Sequence, residues 1–125
     1  ERYAKLLNES SVRKVYWVGH PISNVPRYRQ FFAIFNEIYQ KVSQTYPKID
    51  FVDNWNTFAI NGNFSPIVAN KSGKKGRVRT KDGYHFTHHG ARILANNLIQ
   101  KMNQDGVLKN TVELKAENID SANNK

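Results

Sequence analysis

The sequence predicts an α/β fold built from parallel β-α-β units. Two observations carry this expectation. Short runs of β-branched and aromatic residues, "VRKVYWV" and "KIDFVD", read as buried strands. Between and after them lie longer segments whose apolar residues recur every three or four positions, the period of a helix. Strands alternating with helices in this order favour a parallel sheet with crossover helices.

Taken in order, "ERYAKLLNES" reads as the end of a helix, with Tyr3, Leu6 and Leu7 at helical spacing and Asn8 to Ser11 as a stop. Val12, Val15, Tyr16, Trp17 and Val18 form the first strand, ended by Gly19 and Pro21. A helix follows from Pro26, with Asn24 as its expected cap and Pro47 as its terminator. Its apolar positions, Tyr28, Phe31, Phe32, Phe35, Ile38, Tyr39, Val42 and Tyr46, predict one core-facing stripe. Ile49, Phe51 and Val52 centre the second strand. The stretch "NGNFSPIVANKSGKKGRVRTKDG" is too long and polar for a simple connection and is expected as a functional or disordered loop. Thr87 is placed to cap a last helix that buries Ala91, Leu94, Ala95, Leu98 and Met102, broken at Asp105-Gly106. Residues 105–125 read as a polar tail.

In open α/β sheets the site lies outside the carboxyl ends of the strands. Those ends are "GHP", "DNW" and the loop leading to Asp82. Two strands do not complete such a sheet, so further strands are expected before Glu1. The chain starts without Met, in keeping with a piece of a longer polypeptide.

Composition narrows the functional classes. With 125 residues, 39% of them hydrophobic, the chain suits one globular domain. No apolar run approaches the length of a membrane span. The absence of cysteine excludes disulfides, thiolate metal sites and cysteine nucleophiles. Nineteen Lys and Arg against ten Asp and Glu give a net charge of +9, a surface that attracts polyanions. Six of those cations fall in "KSGKKGRVRTK", Lys71 to Lys81, which suits both a solvated loop and an anion-binding one.

Asp82 and His85 stand three residues apart around Gly83. An ordinary histidine titrates near neutrality, so it can take the proton of an attacking hydroxyl. An aspartate on Nδ1 fixes the tautomer, frees Nε2 for the nucleophile and stabilises the imidazolium that forms. On its own D-x-x-H recurs by chance, and a turn aspartate beside a helix-flanking histidine explains it more readily than a catalytic pair does.

The surrounding residues add to it. "RVRTKDGYHFTHHGARILANNLI" resembles the last signature block of the SGNH (GDSL-type) hydrolases, in which D-G-x-H-[FL]-T precedes a small-residue helix. "VYWVGHP" and "FVDNW" upstream are similar to a bacterial subfamily with a W-V-G strand end, an F-V-D-x-W strand and an R-x-x-D-G-x-H-F-T block. The resemblance covers roughly Val15 to Met102. It implies a three-layer α/β/α, flavodoxin-like fold, with residues 1–104 as the C-terminal half of the domain. It further implies a serine esterase or acyltransferase whose triad draws His85 as general base and Asp82 as its orienting carboxylate. The family's G-D-S nucleophile block and oxyanion-hole blocks have no counterpart here, and are expected upstream of residue 1. Losing one oxyanion donor alone costs about 3 kcal/mol of transition-state stabilisation, so the chain alone is expected to be inactive.

Further expectations follow. The expected substrate is an ester, O-acyl on an anionic or polymeric cell-envelope glycan, and the other expected partner is the N-terminal half of the same domain. The location is extracytoplasmic by resemblance. No cofactor is implied. His85, His88, His89 and Asp82 lie close enough in sequence for a metal reading, but adjacent histidines diverge on a helix and the family needs no metal. His20 is a candidate for lining the acyl or alcohol pocket, against the plainer reading of a polar strand-end residue. Asp53 and Trp55 read as structural. Two competing functions remain at this stage: a basic module binding nucleic acid or another polyanion, and a catalytically dead, glycan-binding remnant. No nucleic-acid motif or aromatic interleaving accompanies the basic loop.

Overall fold

The computed structural model describes residues 1–108; the expected tail falls mainly on 109–125, outside the described residues. The element order begins with α1 (Arg2–Glu9), β1 (Val15–Val18), α2 (Pro26–Thr45) and β2 (Ile49–Val52). A 3-10 turn, Trp55–Phe58, then leads into β3 (Ala59–Ile60), β4 (Asn63–Phe64), β5 (Ile67–Ala69), β6 (Lys75–Arg77) and α3 (His88–Gln104). The α/β class is as expected.

β1 and β2 are parallel, Val15 opposite Ile49 and Val18 opposite Val52. Because strand side chains alternate between faces, the register builds two layers around the sheet. Val15, Trp17 and Ile49 pack with Ala4 of α1 and Val42 and Tyr46 from α2 and its end, and Trp17 meets Tyr39 edge-on at 5.2 Å. On the other face Tyr16 donates to Asp105 at 2.7 Å, and Lys101 of α3 reaches Asp50 at 3.1 Å. The sheet is thus sandwiched between α2 and α3.

Three local expectations are corrected. Val12 is exposed and precedes β1, which starts at Val15. Val25, not Asn24, occupies the cap position of α2, and no side chain caps it. Ser23 Oγ instead accepts the Val25 amide at 3.2 Å. The long loop is largely ordered as two antiparallel hairpins, β3–β4 and β5–β6. Their strands are two or three residues long, too short to print an alternating pattern. Asn61 and Gly62, at φ 51° and 76°, make the first hairpin turn.

The helical stripes are narrower than their spacing suggests. In α2, Phe32 and Val42 are buried while Phe31, Ile34, Phe35 and Ile38 are exposed. In α3, Gly90 and Leu94 face inward, whereas Ala91 and Ala95 are exposed. A second core of Ile22, Phe58, Val78 and Leu94 lies under the loops at the carboxyl ends of the strands. The site rests on this second core.

Candidate functional site: the Asp82–His85 loop

The strand ends are extended by side chains that replace a neighbouring strand. Gly19 N donates to Val52 O at 2.8 Å, continuing the ladder. Asn36 of α2 brackets His20, accepting from its amide and donating to its carbonyl, both at 2.8 Å. Buried Asn54 donates weakly to Gly19 O at 3.4 Å and accepts from Asn97 at 3.0 Å. With Ile22 N on Trp55 O at 3.1 Å, the loops after β1 and β2 form one platform.

Asp82 and His85 sit above that platform. His85 Nδ1 and Asp82 Oδ2 are 2.6 Å apart. The other carboxylate oxygen, Oδ1, accepts from Thr80 Oγ1 at 2.6 Å, Tyr84 N at 2.9 Å and His85 N at 3.1 Å. Thr80 N closes the loop onto His85 O at 3.0 Å. Gly83 has φ 70°, and a Cβ there would meet Val25 Cγ2 at 2.5 Å, so glycine is required for both turn and packing. Hydrogen bonds from Thr80 and from His85, then from the backbone amides, hold Asp82 well below the usual carboxylate range. With its side chain 71% exposed, His85 presents Nε2 to the outside while Nδ1 is committed to Asp82. An imidazole held in this way is chemically able to take a proton at Nε2 while the carboxylate fixes its tautomer.

His20 stacks on Phe32 at 4.6 Å. Phe32 meets Tyr84 at 5.9 Å and Tyr84 meets His85 at 5.1 Å. Two aromatic rings therefore connect the two imidazoles. Burial, and secondarily the charge of Arg79, push His20 below the ordinary histidine value. The histidines after the loop diverge: His89 packs against Gly76, its Nε2 2.9 Å from Val68 O, and His88 is exposed on the first turn of α3. No three His, Asp or Glu converge to hold a metal among the described residues. Asp53 accepts the Trp55 amide at 2.8 Å, a turn contact.

Two groups that the spacing did not single out carry much of the local structure. Ser23 is fully buried and donates to Gly83 O at 2.7 Å. Arg79, only 2% exposed, donates to Pro21 O and Tyr84 O at 2.6 Å and to Ile22 O at 3.3 Å. Its only advance signal was its fixed place three residues before Asp82. Two cavities, of 230 and 270 Å³, border α3 and α2 respectively and exclude Asp82 and His85 from their linings.

The model of the family described as "Protein of unknown function (DUF459)" matches residues 1–101. The chain belongs to the DUF459 family. That family is related to the SGNH/GDSL-like hydrolases, and the match spans both strands, the hairpins and the Asp82–His85 loop. No curated protein matches this DUF459 chain. No helix among its described residues is long and apolar enough to cross a membrane.

Proposed function

We propose that Asp82 and His85 are the acid–base part of a serine acyl-transfer site. The observation carrying this reading is the commitment of His85 Nδ1 to a carboxylate whose other oxygen is filled by three donors, with no partner on Nε2 among the described residues. A serine hydroxyl attacks the ester carbonyl while Nε2 takes its proton. The imidazolium, stabilised by Asp82, then protonates the departing alcohol. Water or an acceptor hydroxyl resolves the acyl-enzyme by the same proton traffic, giving hydrolysis or transfer.

The nucleophile and oxyanion donors come from outside the described residues. Ser23 is buried on Gly83 O, and Ser10, Ser43, Ser65 and Ser72 bond local groups. The partner supplying them is the N-terminal half of the domain. Exposed Val18, Phe31, Phe35 and Ile38, and a β1 strand paired on one edge among the described residues, support a further strand beside β1.

The substrate is an O-acyl ester on an anionic cell-envelope glycan, reached outside the cytoplasm. The β5–β6 hairpin supports this choice. Lys75 and Arg77, two apart on β6, are exposed on one face. No ion pair among the described residues engages them or Lys81. Thr87 hydrogen-bonds Arg77 O, so these cations lead toward the loop that bears His85.

The chain alone should hydrolyse p-nitrophenyl acetate no faster than its His85→Ala variant. Supplied with the segment bearing the serine, it should gain turnover that His85→Ala abolishes without changing circular dichroism. Histidine-dependent turnover by the chain alone would overturn the division of labour, and turnover surviving His85→Ala in the completed protein would overturn the triad.

A further inference from the structure

We infer that Arg79, acting with Ser23, is a positioning residue that aims the backbone of the Asp82–His85 loop at the Asp82 carboxylate. The inference rests on the acid–base reading of that pair for its functional meaning, and on hydrogen-bond geometry for its mechanics.

A trans peptide unit is planar, with its C=O and N–H pointing in opposite directions. Fixing one end therefore fixes the other. The unit joining Gly83 to Tyr84 has its carbonyl held by Ser23 Oγ at 2.7 Å and its N–H on Asp82 Oδ1 at 2.9 Å. The next unit, joining Tyr84 to His85, has its carbonyl held by Arg79 Nη1 at 2.6 Å and its N–H on the same Oδ1 at 3.1 Å. Two consecutive peptides are thus gripped from beneath and aimed at one carboxylate oxygen. With Oδ1 filled, Oδ2 is left for His85 Nδ1.

The grip reaches a distant part of the chain. Arg79 also donates to Pro21 O and Ile22 O, and Ser23 belongs to the same segment. The loop after β1 is therefore the anvil on which the Asp82–His85 loop is set.

The cost of burying Arg79 argues that this geometry matters. A buried cation is expensive unless paired, yet among the described residues no ion pair engages Arg79, on which Asp82 acts only through space. It is held by three carbonyls and by the faces of Phe86, Phe32 and Phe58, at 4.7, 5.3 and 5.8 Å. Loss of solvation draws its pKa down to about 10. Packing alone would be served better by an apolar side chain. The planar guanidinium fork is the one side chain that supplies divergent donors to Pro21, Ile22 and Tyr84 at once, and lysine lacks it.

The test reads the imidazole tautomer by ring nitrogen NMR well above the ordinary histidine range, together with amide exchange. In the unsubstituted chain His85 should carry its proton on Nδ1, with the Tyr84 and His85 amides protected. Arg79→Lys, folded by circular dichroism, should shift His85 toward the Nε2–H form that free imidazole prefers and expose both amides. His89, whose Nε2 faces Val68 O, serves as the internal control and should not change. A folded Arg79→Lys chain that keeps the Nδ1–H tautomer and both protected amides overturns the inference. If Arg79→Lys does not fold, Ser23→Ala decides: exposure of the Tyr84 amide supports the grip and unchanged protection overturns it. An unsubstituted chain whose His85 is already Nε2–H sinks the acid–base reading instead. The grip is then judged by the amides alone, protected if it exists and exposed if it does not.

Discussion

His20 and His85 show how surroundings place one residue type in two electrostatic settings. His85 is exposed, its Nδ1 held by a carboxylate that stays ionised far into acid because Thr80, His85 and two amides favour its charge. His20 is half-buried against Phe32, near Phe35 and Tyr39, and the charge of Arg79 acts on it. Burial first, and that cation second, hold its pKa below the ordinary histidine value. A histidine whose folded pKa lies below its unfolded value stabilises the fold above the unfolded value, near 6.5, and loses that contribution as pH falls through the folded one. Asp82 has the same sign but acts lower, since its contribution is complete above the ordinary carboxylate range and fades only beneath it. Urea unfolding between pH 7.5 and 5 should therefore show falling stability in the unsubstituted chain and a flatter profile in His20→Gln. Equal slopes would mean that folding leaves the His20 pKa unshifted, and that its burial against Phe32 does not disfavour the charged ring.

At the scale of elements, α3 is set against β6 by a glycine and a threonine. Gly90 lies so close to Val78 O that an added methyl would strike it, and that carbonyl already accepts the Thr87 amide at 3.1 Å. Thr87 caps the helix through Gly90 N at 3.1 Å and also hydrogen-bonds Arg77 O. Gly90→Ala must push α3 off the hairpin, and overpacking of this kind costs about 3 kcal/mol. Thr87→Ala removes a cap, about 1 kcal/mol, together with the tie to Arg77. Denaturant midpoints should rank Gly90→Ala below Thr87→Ala and both below the unsubstituted chain; the reverse order would show that the cap, not the close contact, seats the helix. Of these features the cap was legible in advance, because threonine before a helical period has a fixed meaning. So were α2, whose period runs for five turns, and the Asp82–His85 spacing. The hairpins were not, because Lys75, Gly76 and Arg77 are poor strand residues held there by contacts with His89 and Thr87. Nor was the burial of Arg79, since an arginine within a run of cations reads as solvated until three carbonyls are found around it.

The whole molecule combines a small sandwich with a strongly cationic surface, and the two meet at one end. Net charge is +9, and among the described residues Asp50 and Asp105 are occupied by Lys14, Lys101 and Tyr16 within the sheet–α3 contact. Their negative charge is therefore offset in place and does little to neutralise the hairpin. Lys75, Arg77 and Lys81 lie within a short span of chain, and exposed charges act together over roughly a Debye length, about 8 Å at physiological salt. An extended polyanion can engage several of them together, whereas a neutral glycan gains nothing from them. Nucleic acid would meet the same charges but no aromatic platform on the hairpin for its bases. The chain should be retained on an immobilised acidic polysaccharide at low salt and elute as salt rises, with no retention on a neutral one. Lys75→Ser with Arg77→Ser should elute at distinctly lower salt with the unfolding midpoint unchanged, because neither side chain enters an ion pair among the described residues. Unchanged elution of that double variant would mean that net charge alone holds the polymer, and the hairpin would lose its claim to guide an anionic substrate toward His85.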